Sequence, residues 1–274
     1  MKSTAQIWGR NTSEVDWCEQ NYEYSQYIAE YFNTLSNVLL VFIPLFHIYL
    51  SRPFSKHINS DINIVWVLLA VVGIGSGYFH ATLSYSGQLI DEMAILWAMA
   101  ACVPLAIPTQ SLDYCIFRRS RLRLKLAVVL ATIFSSSLMF VAPILNAFIL
   151  FFGSLPALSF IFHFAISTND WRCVRQIFLS AFLWLLALTC WVNDRIFCEL
   201  WTQFLTIPYP QFHALWHILI SIASYTGVVI GAYYVALKER PDLKPRLAYW
   251  PIDSFELGVA YIGLTIPDNI RKAD

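Results

Sequence analysis

The chain has 274 residues, 58% of them hydrophobic, 16% aromatic and only 13% charged, and its mean hydropathy is +0.56. A soluble domain carries about 25% charged residues, so this composition points away from a soluble fold and toward a polytopic membrane protein. The formal net charge of +0 leaves no basic field for nucleic acid.

The first 30 residues are polar. "MKSTAQIWGRNTSEVDWCEQ" has no apolar core and does not read as a cleaved signal peptide. Residues 13–33 carry Glu14, Asp16, Glu19, Glu23 and Glu30 and no basic residue. Asp16, Glu19 and Asn21 fall in one short stretch, and Glu30 follows just before the first apolar run. Calcium takes six to eight oxygen ligands from such groups. The spacing is not that of an EF-hand, and its required glycine is missing. Composition alone favours a solvated acidic segment over a cation site.

Seven apolar runs follow, each near the ~20 residues a spanning helix needs. They cover roughly 31–50, 62–83, 88–108, 123–142, 144–166, 175–198 and 212–237. Pro143 favours a break between the fourth and fifth. With no internal repeat and no low-complexity segment, one domain over 1–274 is expected. It comprises an acidic segment (1–30), an all-α seven-transmembrane helix bundle (31–237) and a tail (238–274). Of the 18 basic residues, all but Lys2, Arg10 and Arg195 fall in the loops or tail on one side. The positive-inside rule therefore predicts a cytosolic C-terminus and a lumenal or extracellular N-terminus.

Six cysteines are present. Cys102, Cys115, Cys173 and Cys190 lie in spans or near the cytosolic face, where disulfides are rare. Cys18 and Cys198 both fall on the oxidising side. They are free to pair and tie the N-terminal segment down, or to remain two thiols.

The histidines carry the chemistry. His213 and His217, in "FHALWHIL", stand four apart and so share one face of a helix, one turn from each other. His80, in "GSGYFHATLS", sits near the end of the second span. Opposite chain directions bring it to the depth of the other two. Three neutral imidazoles favour zinc, with iron and copper also compatible by residue type. The plainer alternative is interhelical hydrogen bonding. His47, His57 and His163 lie away from this layer and read as bystanders. Ionisable groups inside a span are costly and point to function. Asp91 at the start of the third span can take a proton from water, and Ser76, four before His80, can donate to an oxyanion. Glu92 reads as a helix-start charge, and Asp194 with Arg195 as an interfacial ion pair.

"SEVDWCEQNY" with "AEYFNTLSN", "GSGYFHATLS", "GQLIDEMAILW", "WVNDRIFCE" and "FHALWHIL", in this order and spacing, together resemble the alkaline ceramidases. These are seven-span members of a membrane hydrolase group that also includes the adiponectin and the progestin and adipoQ receptors. The match runs from about Ser13 to "YWP" at 249–251. The resemblance implies a zinc-dependent hydrolase that cleaves ceramide to sphingosine and a free fatty acid in a Golgi or endoplasmic reticulum membrane. It implies zinc ligands His80, His213 and His217, with Ser76 and Asp91 as catalytic residues. It further implies calcium ligands Asp16, Trp17 (through its backbone carbonyl), Glu19, Asn21 and Glu30, and a Cys18–Cys198 bridge. The competing reading is a seven-span receptor with a structural metal. A transporter stands behind it, because paired broken helices are missing.

Overall fold

The computed structural model describes residues 7–114, 120–139, 167–204 and 208–267, with Gly153, Ser159, His163 and Phe164. Its helices are α1 (Tyr31–Ser36), α2 (Val38–Leu50), α3 (Arg52–His57), α4 (Asp61–Thr82), α5 (Tyr85–Ala106), α6 (Arg121–Met139), α7 (Trp171–Ile196) and α8 (Phe212–Glu239). Among the described residues, five stretches are long and apolar enough to cross a membrane: Tyr31–Leu50, α4, α5, α7 and α8. They coincide with the expected first, second, third, sixth and seventh segments. α6 covers most of the expected fourth but opens on Arg121, Arg123 and Lys125 and is not among the five. The expected fifth segment, 144–166, lies outside the described residues apart from isolated positions. Large apolar side chains face outward along these helices, among them Phe42, Ile74, Phe134 and Phe182. A lipid solvent explains such exposure where water would not.

The all-α expectation misses one element. Residues 246–250 and 259–263 form an antiparallel hairpin, β1 (Arg246–Trp250) and β2 (Val259–Gly263), with Arg246 opposite Gly263 and Trp250 opposite Val259. Both strands are rich in β-branched, aromatic and other apolar residues, and the linker holds Pro251, Asp253 and Gly258. Gly258 packs so close to the Trp250 carbonyl that a Cβ there would lie 2.2 Å from its oxygen.

The chain forms two compact units, each assembled from three stretches. The first comprises 1–44, 68–95 and 179–224. Its small core gathers Ala29, Phe79 and Leu83, with Val15, Trp17 and Tyr22 packed against them. α4 ends with Leu83 in the left-handed region (φ 47°). A non-glycine residue there costs about 1–2 kcal/mol, and here the side chain is buried in that core. The last carbonyls of α4, which have no partner within the helix, accept amides from the N-terminal segment. Asn11 donates to Thr82, Thr12 and Ser13 to Leu83, Ala29 to Ala81, and Glu30 to His80, at 2.9–3.1 Å.

The second unit comprises 45–67, 96–178 and 225–274. Phe54, Ile62, Val65 and Trp66 are fully buried in it. Trp66 Nε1 donates to Ser51 Oγ (3.0 Å). The His47 ring stacks on Trp66 and on Tyr225. Asp61 at the start of α4 pairs with Lys125 (2.7 Å), and Arg121 pairs with Glu239. Asp170 Oδ1 accepts the Arg172 amide and so caps α7 (3.0 Å). The hairpin linker is held by Arg172 to Asp253 and Glu256 (3.0 Å each) and by Arg175 to Glu256.

In the first unit α4 passes α2 at Gly73, where a Cβ would lie 2.8 Å from Leu40 Cβ and 2.9 Å from its carbonyl carbon. Backbone cannot yield as a flexible side-chain end can. Gly73→Ala is expected to cost about 1–3 kcal/mol and to lower the unfolding temperature of the detergent-solubilised protein. An unchanged melting curve would show that the two helices do not approach this closely.

Candidate functional site

The first unit brings His80, His213 and His217 together. His80 occupies the last turn of α4, which the N-terminal segment ties down, and the other two stand one turn apart at the start of α8. One ring nitrogen from each lies within 4.8 Å of the others. All three side chains are buried, at 1%, 2% and 0% exposure, and their ring centroids are 4.6–5.0 Å apart. Three imidazoles at this separation can hold a metal ion.

Other side chains fix how the rings face one another. The Glu30 carboxylate meets His80 Nδ1 in a short hydrogen bond. Ser36 Oγ lies 2.8 Å from His217 Nδ1. Trp17 stacks on His213 at a centroid distance of 3.7 Å, and the Arg195 guanidinium lies over the Trp17 ring, 5.7 Å from its centroid. His80 Nε2 and His213 Nδ1 are buried with no hydrogen-bond partner. Buried orphan nitrogens are costly in a native fold, and a ligated cation satisfies them. This all-nitrogen set suits zinc, copper or iron better than calcium or magnesium.

Ser76 lies beside the cluster, and Asp91 stands on the neighbouring α5. Ser76 Oγ lies 3.4 Å from His217 Nε2, and one residue earlier α4 passes close to the Asp91 backbone, where a Cβ on Gly75 would lie 3.6 Å from the Asp91 amide nitrogen. Asp91 Oδ1 is buried without a partner. Alongside runs an apolar groove of about 370 Å³, lined by Phe32, Leu35, Leu39, Ala214 and Ile218, with Ser36 its one hydroxyl.

The acidic residues take definite places. Asn21 donates to both Asp16 oxygens (3.1 and 3.2 Å). Glu19 accepts the amides of Phe32 (2.7 Å) and Asn33 (2.9 Å), so its side chain caps α1 from 12 residues upstream of that helix. Glu30 Oε1 accepts the Trp17 amide (3.1 Å), and Oε2 the Asn33 side-chain amide (3.1 Å). Burial raises the carboxyls of both Glu19 and Glu30, Glu30 to about 8, while the Asn33 and Trp17 donors work against the shift. Cys18 and Cys198 are bridged, with Cα atoms 5.5 Å apart.

Two expectations need correction. Asp194 accepts from the Tyr209 hydroxyl and from the Cys18 amide (3.3 Å), while Arg195 donates to the Asp16 carbonyl (3.2 Å). These neighbours pin the N-terminal segment separately instead of pairing. α5 begins at Tyr85, so Glu92 lies in its second turn, where it accepts from Gln88 (2.9 Å), and is not a helix-start charge. Sequence reasoning also missed Ser36, Asn33 and Tyr209. Their residue types are common in spans and loops, and nothing in their spacing marks them.

The fold and site thus define a helical membrane protein with a buried three-imidazole group able to hold a metal. A family model described as Ceramidase matches residues 9–262. The chain is 40% identical to "Alkaline ceramidase" of Drosophila melanogaster over 95% of its length and 91% of that protein's. It is 36% identical to "Alkaline ceramidase 1" of Homo sapiens over 96% and 98%, and 29% identical to "Alkaline ceramidase 3" of Mus musculus over 91% and 94%. The chain belongs to the ceramidase family.

Non-reducing peptide mapping is expected to recover the segments around Cys18 and Cys198 as one linked species. Cys18→Ser should abolish it and lower the unfolding temperature. Separate, alkylated peptides from the wild type would show that the thiols are free.

Proposed function

We propose that the chain is a zinc-dependent amide hydrolase that cleaves ceramide to sphingosine and a free fatty acid within the membrane. The observation that carries this reading is the convergence of three buried imidazoles with the Ser76 hydroxyl beside them. The names of the family's members supply the substrate class. His80, His213 and His217 would hold the metal. When bound, zinc with an open fourth position supplies a Lewis acid that brings the pKa of water from 15.7 toward about 7.

Asp91 would accept the proton of the attacking water and later deliver it to the leaving nitrogen. Ser76 would donate a hydrogen bond to the carbonyl oxygen as that oxygen gains negative charge. The amide C–N bond then breaks, giving the fatty acid and the amine of sphingosine. Glu30 and Trp17 hold the His80 and His213 rings while this happens. The apolar groove beside Ser36 would offer an aliphatic chain a surface of its own chemistry.

Calcium would bind the acidic segment through Asp16, the Trp17 carbonyl, Glu19, Asn21 and Glu30. Support comes from burial of the Glu19 and Glu30 carboxyls, because a cation offsets the cost of buried negative charge. The basic residues favour seven spans with a lumenal N-terminus and a cytosolic C-terminus, in the Golgi or endoplasmic reticulum membrane.

His217→Ala is expected to abolish release of sphingosine from ceramide without loss of membrane insertion. Ser76→Ala should lower kcat by about 10²–10³ and Asp91→Asn by about 10²–10⁴. Mass spectrometry of released chains measures all three. Full activity of metal-stripped His217→Ala would sink the zinc mechanism. A calcium-selective chelator should lower activity and unfolding temperature together, since a ligand bound only to the folded state stabilises it. If neither moves, the calcium assignment is wrong.

A further inference from the structure

We propose that Ser36 is a positioning residue that fixes His217 as its Nδ1–H tautomer, through a relay that ends on the Asn33 carbonyl. The inference rests on the reading that the three imidazoles hold a metal, and adds a residue from a different helix to that site. Ser36 Oγ makes two contacts, to His217 Nδ1 at 2.8 Å and to the Asn33 carbonyl at 2.9 Å. The hydroxyl has one proton. The carbonyl can only accept, and a helical serine commonly donates to a carbonyl one turn back. With the proton given to Asn33, the hydroxyl turns a lone pair toward His217, and Nδ1 must be the donor.

The opposite assignment places the His217 proton on Nε2. That nitrogen faces Ser76 Oγ at 3.4 Å, and with Nδ1 occupied by Ser36 it is the one left to serve a metal at the three-histidine group. A proton there removes the lone pair a metal needs. The relay thus settles which nitrogen is free, as the partner of a ligating imidazole's second nitrogen commonly does.

Asn33 is a rigid terminus for the relay. Its backbone amide donates to Glu19 Oε2 (2.9 Å), its side-chain amide donates to Glu30 Oε2 (3.1 Å), and its carbonyl also accepts from the Asn37 side chain (2.8 Å). Asn33 is fully buried. Glu30 Oε2 is the oxygen that meets His80 Nδ1. Residues 30–36 therefore supply the acceptor for both His80 and His217, and Asn33 is common to the two.

The test uses the full chain in detergent, stripped of metal, as wild type, Ser36→Ala, Ser36→Thr and His80→Ala. Zinc affinity is read by competition with a chromophoric chelator, the ligand field by the visible spectrum of the cobalt-substituted protein, and folding by the unfolding temperature without metal. Ser36→Ala is expected to bind zinc about 10–100-fold more weakly with an altered cobalt spectrum and an unchanged metal-free unfolding temperature. Ser36→Thr, which keeps the hydroxyl, should restore both metal readouts. Equal affinity and spectra for wild type and Ser36→Ala would overturn the proposal. So would Ser36→Thr as impaired as Ser36→Ala, or a metal-free unfolding temperature that falls with affinity, since either marks a packing role. If wild type and His80→Ala bind zinc equally weakly, the metal reading itself has failed and this inference with it.

Discussion

An imidazole buried away from water can offer a lone pair to an ion only if the proton on its other nitrogen has an acceptor. Burial favours the neutral ring, which is the ligating form. Neutrality alone leaves the tautomer undecided. In this protein the decision is made outside the histidines, by Glu30 at His80 and Ser36 at His217. Much of the first unit follows from holding those two acceptors in place. Glu19 caps α1 so that the helix begins at Tyr31, and Asn33 ties the cap, Glu30 and Ser36 into one hydrogen-bonded group.

Residues 11–30 are thereby part of the site. Their amides occupy the carbonyls at the end of α4, where His80 lies. Trp17 covers His213 with its ring while its amide holds Glu30. The Cys18–Cys198 bridge, the Asp194 carboxylate and the Arg195 guanidinium fasten the same stretch to the end of α7 and the residues just beyond it. Residues 11–30 have no regular secondary structure, and they are held by hydrogen bonds of their amides and carboxylates to the ends of α4 and α1.

The sequence made much of this legible. Apolar runs near the length of a bilayer located the helices, because in lipid the backbone must satisfy itself and long helices are the simple solution. The i, i+4 spacing of His213 and His217 put them on one face, and opposite chain directions brought His80 to them. α6 was harder, since its basic first turn dilutes an otherwise apolar run. The terminal hairpin was missed because five-residue strands give a short period-2 signal beside spans five times their length. Glu92 was misassigned by a helix start placed three residues too late. Ser36 and Asn33 could not be found, because a serine that accepts from an imidazole looks, in sequence, like any serine in a span.

Glu30 shows why the acidic segment and the histidine cluster cannot be treated as separate sites. One oxygen accepts the Trp17 amide, and the other accepts the Asn33 side chain and meets His80. Trp17, Glu30 and His80 are thus joined by consecutive hydrogen bonds. A cation drawn to the acidic segment would act on His80 through this one carboxylate. Charge placed at that carboxylate has short range in water but carries much further where water is excluded. The orientations of the His80 and His213 rings are therefore held from the N-terminal segment inward.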